Sequence, residues 1–167
     1  RKVETQYGII NEDTAVIEMA SASGLTLLSK EECNPMLTST YGTGTLISDA
    51  LGRGCRRLYV AIGGSSTNDG GMGCLSALGV KFKDKFGNVL HGRGEDLIKV
   101  DDIDVSGIDE RLHSTEVIVL CDVRNPLCGP NGATKTYAPQ KGASEYDIEL
   151  LESGMCNYRD CIKRKFG

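Results

Sequence analysis

The run Gly63-Gly64-Ser65-Ser66-Thr67-Asn68-Asp69-Gly70-Gly71 concentrates the residue types that bind oxyanions. Gly63, Gly64, Gly70 and Gly71 let backbone amides approach a ligand closely, and Ser65, Ser66, Thr67 and Asn68 add short side-chain donors. Asp69 is the one acid among them. A carboxylate in that position can cap a helix, hold a metal ion, or accept a proton from a substrate hydroxyl. The residue types alone leave these uses open, and they equally allow a tight turn that binds nothing.

A second stretch with chemical content is Cys121-Asp122-Val123-Arg124-Asn125-Pro126-Leu127-Cys128-Gly129-Pro130-Asn131-Gly132-Ala133. Asp122 follows the apolar run Glu116–Leu120, so it stands at the carboxyl end of an expected strand. If that strand neighbours the one before Gly63, Asp122 and Asn125 face the same crevice as Asp69. The plainer use of Asp122 is to cap a turn imposed by Asn125-Pro126. Further on, Lys135 and Lys141 could supply charge to a phosphate, although a lysine's default place is the surface.

Two familiar phosphate motifs are excluded. A P-loop has four residues between its glycines and then Gly-Lys-Ser/Thr, whereas five residues separate Gly64 from Gly70 and Gly71 leads into Met72. The dinucleotide fingerprint Gly-x-Gly-x-x-Gly fails because Gly71-Met72-Gly73-Cys74-Leu75-Ser76 ends in serine.

The elements that must position these residues are legible from periodicity. Leu58-Tyr59-Val60-Ala61-Ile62 reads as a strand covered on both faces, and Met72–Leu78 closed by Gly79 as a short helix. The glycine-rich run therefore sits at a strand-to-helix junction, where open α/β sheets bind ligands. Residues 2–10 alternate like a strand, turn at Asn11-Glu12-Asp13 and return through Ala15–Met19 as a β-hairpin. Ala20–Gly24 reads as a single helical turn. A helix with Leu46, Ile47, Ala50 and Leu51 on one side begins amid Thr38, Ser39, Thr40, Thr43 and Thr45, hydroxyls suited to a cap and a second anion contact.

Val80–Lys83 and Asn88–Leu90 flank Asp84–Gly87 as a second hairpin. Residues 91–115 read as a polar excursion with a weak element near Leu97–Val100 and a solvated acidic surface. Glu116–Leu120 reads as a buried strand. Ser144-Glu145-Tyr146-Asp147 is a capping box, and Ile148, Leu151, Met155, Tyr158 and Ile162 step along one helix face behind it. The fold class that follows is α/β, a parallel or mixed sheet with flanking helices and a β-hairpin, in one domain over residues 1–167.

The totals narrow the function. With 167 residues, 40% hydrophobic and 25% charged, the chain has the composition of an ordinary globular domain. Nineteen basic against 23 acidic side chains give a net charge of −4, and the basic cluster Lys163-Arg164-Lys165 stands alone, which argues against a nucleic-acid partner. No apolar run reaches the length of a membrane span, and no signal peptide is visible. Seven cysteines without a Cys-x-x-Cys pair, and two histidines away from zinc-ligand spacing, read as reduced core thiols of a cytoplasmic protein. The chain starts at Arg1 inside what reads as a strand, which points to a fragment or a processed product.

The blocks Ile62–Gly73 with Ala77-Leu78-Gly79, Asn34–Gly44, Cys121–Ala133 running on to Pro139-Gln140-Lys141-Gly142-Ala143, and Val16–Leu25 resemble the bacterial-type glycerate kinase family, in that family's order. Ser66 stands where the family often has alanine, and Arg124 where an acidic or polar residue is common. The resemblance implies ATP-dependent phosphorylation of D-glycerate with Mg²⁺, in a two-domain α/β fold with the site between the domains. It also implies that this chain is the central portion of a longer enzyme whose remainder completes the site. On that footing Asp69 and Asp122 are the expected catalytic or Mg²⁺-binding carboxylates. Gly63, Gly64, Ser65, Ser66, Thr67, Asn68, Gly70, Gly71 and Asn125 are the expected binding residues. The alternatives are a non-catalytic fragment or another sugar-acid or phosphate-binding α/β domain.

Overall fold

A computed structural model describes residues 2–167. In chain order the elements are β1 (Gly8–Ile10), β2 (Thr14–Glu18), α1 (Ala20–Ser23), α2 (Tyr41–Gly52), β3 (Arg57–Ala61), α3 (Met72–Ala77), β4 (Lys81–Lys83), β5 (Asp102–Asp104), β6 (Glu116–Leu120), α4 (Ala133–Tyr137) and α5 (Glu145–Phe166), joined by short 3₁₀ turns. The main sheet has the order β1-β2-β3-β6. β1 and β2 form the expected hairpin, in which Asn11 takes the left-handed conformation that asparagine tolerates. Its first strand starts at Gly8, so the alternation of residues 2–7 does not become a ladder. β2, β3 and β6 run parallel, with Ala15 beside Leu58 and Leu58 beside Val117. The sheet is thus mixed and the class α/β.

One face of this sheet is dry. Ala15 and Ile17 of β2 and Leu58 and Val60 of β3 pack on Leu46, Ile47, Ala50 and Leu51, the apolar stripe of α2. Burying such side chains contributes about 1.5–3 kcal/mol each. β3 is not sealed on both faces, however, because Tyr59 and Ala61 remain half-buried. β6 departs further from expectation. Val117, Val119 and Leu120 are 45%, 55% and 47% exposed, since α2 lies over β2 and β3 and β6 is the edge strand.

A second core forms around α5. The capping box holds as expected: the Ser144 hydroxyl accepts from Asp147 N, and Ser144 N donates to the Asp147 carboxylate. Leu151, Met155, Tyr158 and Cys161 then meet Met72, Val80, Phe82, Leu97, Val100 and Ile103. Phe82 and Tyr158 pack edge to face with ring centroids 5.8 Å apart.

The long polar excursion is therefore a structural contributor. Its turn Gly94–Lys99 buries Leu97 and Asp96, and the acid is satisfied by Lys99 and Arg93 N rather than by solvent. β4 finds its ladder partner in β5, with Lys83 paired to Asp104. The expected Val80–Leu90 hairpin survives only as a turn with one bridge, Lys83 to Val89.

Candidate functional site

β3 and β6 are parallel neighbours in register, Ala61 beside Leu120, so the glycine-rich loop and the Asp122 segment leave the same end of the sheet. The two strands are thus the neighbours that a shared crevice requires. Gly64, Gly70 and Gly71 take φ values of +70°, +60° and +80°, the conformation that only glycine adopts without strain, and Gly71 opens α3.

Asp69 organises this loop from inside. It is 1% exposed. Its Oδ2 accepts from Thr40 N at 2.7 Å, from Thr40 Oγ1 at 2.8 Å and from Gly73 N at 3.2 Å, while Oδ1 accepts from Gly71 N at 3.1 Å. Burial pushes its carboxyl above the usual range, against the pull of these donors. Thr40 Oγ1 in turn accepts from Cys74 N, so one carboxylate ties the start of α2 to the start of α3. The first amides of α3 are thereby consumed and do not face a ligand. Gly73 is required by this closeness: a Cβ there would lie 2.0 Å from Ser39 Oγ and 2.7 Å from Tyr41 N.

The hydroxyl-bearing residues point inward as well. Ser66, Thr67 and Asn68 are buried, contrary to a row of outward donors. Ser66 Oγ and N both donate to Ser23 O, and Asn68 Nδ2 donates to Thr134 Oγ1 at 3.2 Å. The hydroxyls around α2 are also engaged within the chain. Thr38 Oγ1 donates to Ser66 O, Ser39 Oγ to Gly92 O and Thr45 Oγ1 to Gly42 O, and Thr43 bonds Ser23; the N-cap residue Thr40 makes no side-chain cap bond, while Ser39 Oγ accepts from Tyr41 N at the start of α2. What the loop offers outward is backbone. Gly63, Gly64 and Gly70 are exposed, and their amides have no acceptor among the described residues.

Lys141 is the residue whose place the sequence understated. It is 8% exposed and reaches under the loop, its Nζ donating to Ser65 Oγ at 2.9 Å and Thr67 O at 2.6 Å. Burial depresses its pKa to about 8, partly countered by the Asp69 carboxylate. Lys135 stays at the surface near Glu149.

Asp122 and Asn125 are exposed. Asn125 is fixed by α4: its Nδ2 donates to Thr136 Oγ1 and Asn131 O, and its Oδ1 accepts from Tyr137 OH at 2.6 Å. Since Asn68 docks on Thr134 of the same helix, α4 joins the two segments. The Asp122 carboxylate has no hydrogen-bond or ion-pair partner among the described residues. Its oxygens are therefore available to a hard cation, whereas those of Asp69 are already engaged.

A cleft of about 770 Å³ opens beside the loop, lined among others by Ser23, Thr38, Ser39, Tyr41, Ser66 and Arg93. That volume suits a small ligand. Arg93 brings a cation that no local pattern singles out, since it arrives from the polar excursion. No helix among the described residues is long and apolar enough to cross a membrane.

The chain matches the glycerate kinase family over residues 1–167. It is 46% identical over 164 residues to glycerate 2-kinase of Escherichia coli K12, an alignment covering 98% of this chain and 43% of that protein. It is 44% identical over 166 residues to glycerate kinase of Bacillus subtilis 168, covering 99% of this chain and 44% of the relative. A crystal structure assigned to glycerate kinase 2 of Salmonella typhimurium LT2 superposes with a TM-score of 0.92 at 42% identity, covering 95% of this chain and 42% of that one. The chain therefore spans less than half the length of these relatives. With identities of this size across nearly all of its residues, the chain belongs to the glycerate kinase family.

Proposed function

We propose that this chain forms one wall of an active site that transfers the γ-phosphoryl group of ATP to a hydroxyl of D-glycerate. The observation that carries the reading is the in-register parallel pairing of β3 and β6, which brings an amide-rich loop and an unpaired carboxylate to one end of the sheet. Phosphoryl transfer depends on positioning and charge stabilisation, and these groups supply both. The exposed amides of Gly63, Gly64 and Gly70 hold anionic oxygens of the substrate or the transferring group. Asp122 orients the attacking hydroxyl or holds Mg²⁺, and Asn125 is its neighbour in that task. Bound Mg²⁺ neutralises charge that develops on the phosphate oxygens. Asp69, Ser66, Thr67 and Asn68 act by holding the loop in shape, with Lys141 beneath it. The name of the E. coli relative extends the proposal to the hydroxyl at carbon 2. A chain spanning 43% of that relative is taken to need the rest of the longer protein for ATP and turnover. Seven free thiols support a reducing, cytoplasmic setting.

The test compares Asp122→Asn with Asp69→Asn in the full-length protein supplied with ATP, Mg²⁺ and D-glycerate, with ³¹P NMR to identify the product. Asp122→Asn is expected to lower turnover by more than about a hundredfold while leaving thermal stability unchanged. Asp69→Asn is expected to lower stability, because its amide would present a donor to Thr40 N and Gly73 N. Turnover within about threefold of wild type for Asp122→Asn sinks its role.

A further inference from the structure

Where the Asp122 segment meets α5 lies a cluster the mechanism does not use. Cys128 lies on that segment, and Glu152 and Cys156 stand four residues apart on one face of α5. One ligand atom from each, the two Sγ and a carboxylate oxygen, all lie within 4.8 Å of one another. Glu152 is half-buried as a residue, but its carboxylate end is buried. Its Oε1 accepts from Gly129 N at 2.6 Å, and its Oε2 is buried with no hydrogen-bond partner. A buried carboxylate oxygen without a partner is costly, and here it sits beside two sulfurs that offer no good donor.

We propose that Cys128, Glu152 and Cys156 form a binding site for a soft divalent cation of the Zn²⁺ or Cd²⁺ kind, which clamps the Asp122 segment to α5. Two thiolates and one carboxylate make a donor set that such ions prefer and Mg²⁺ does not. Zn–S bonds of about 2.3 Å in a tetrahedral site place ligand atoms about 3.5–4 Å apart, so small rotamer adjustments close the cluster on an ion. The fourth position is left to water. Each thiol loses its proton to solvent on ligation, and the ion's charge replaces those protons. Glu152 is already oriented, since the Gly129 amide fixes one oxygen and leaves the other for the metal. The cluster links two parts of the chain, because Cys128 lies on the segment that carries Asp122 and Asn125, whereas Glu152 and Cys156 lie on the longest helix.

The experiment titrates the reduced, chelator-treated full-length protein with Cd²⁺, following thiolate-to-cadmium charge transfer in the ultraviolet and heat by calorimetry. Wild type is expected to take up about one equivalent with a charge-transfer band that the Cys128→Ser/Cys156→Ser double variant lacks. Glu152→Gln should weaken the same uptake by about tenfold or more while keeping the band. Cys33→Ser and Cys121→Ser should match wild type. Far-ultraviolet circular dichroism of each variant shows whether it is folded, and the Glu152→Gln titration stands on its own if the double variant is not. Absence of a band at stoichiometric Cd²⁺, a band that survives the double substitution, or unchanged affinity in folded Glu152→Gln would overturn the proposal.

Discussion

Lys141 shows how a residue in the site differs from what its type suggests. Its pKa is lowered to about 8 by burial, so in the folded protein it gives up its proton before it does in the unfolded chain. Between about pH 8 and the ordinary lysine value of about 10.4, the unfolded state binds more protons, and this group's contribution to stability therefore rises with pH. In the folded protein the cation beneath Ser65 and Thr67 is lost as pH rises through about 8. Anion affinity at the loop should consequently fall as pH passes about 8, while Lys141→Met should bind more weakly at neutral pH and lose that dependence. Glycerate KM measured against pH for both proteins checks this. Parallel profiles for wild type and Lys141→Met would count against Lys141 as the source. Asp69, by contrast, is 1% exposed and its carboxylate gathers four donors from the starts of α2 and α3.

At the scale of elements, the loop is held between α2, α3 and α4. The contact of α3 with the start of α2 rests on Gly73, where an added methyl would press on the Tyr41 amide and lie 3.0 Å from the Asp69 carboxylate. Backbone atoms cannot swing aside as a flexible side chain can. Gly73→Ala is expected to lower stability by about 1–3 kcal/mol, the usual cost of overpacking, and to loosen the loop. Chemical denaturation measures the first effect, and amide exchange at Gly71 to Cys74 the second. The capping box and apolar stripe of α5 were plain in the sequence, because both are set by residues three or four apart. Pairing of β4 with β5 was not, since Phe82 and Ile103 meet across a separation no local pattern reports.

Across the whole molecule, the sheet ends in an uncovered strand. Val117 and Val119 project from the same face as Leu58 and Val60 but lie beyond the reach of α2. An exposed apolar edge strand pairs with whatever edge it meets. The chain expressed alone is expected to self-associate as its concentration rises, and Val119→Lys to shift it toward monomer. Sedimentation velocity over a concentration series reads this, and a wild-type chain that stays monomeric throughout would contradict it.

The sequence alone determined the local pieces. The bounds of β6, the turn of the first hairpin, the α5 cap and the position of Asp122 at a strand tip all follow from periodicity and turn chemistry within a few residues. The family likeness lay in those same blocks. Only the tertiary structure decided which way the pieces face. Ser66 and Asn68 turn inward because Ser23 and Thr134, from distant segments, supply their partners. Lys141 is drawn under the loop, Glu152 is left with an unpaired oxygen beside two sulfurs, and β6 stays exposed. Each of these depends on surfaces that do not exist until segments far apart in the chain are packed together.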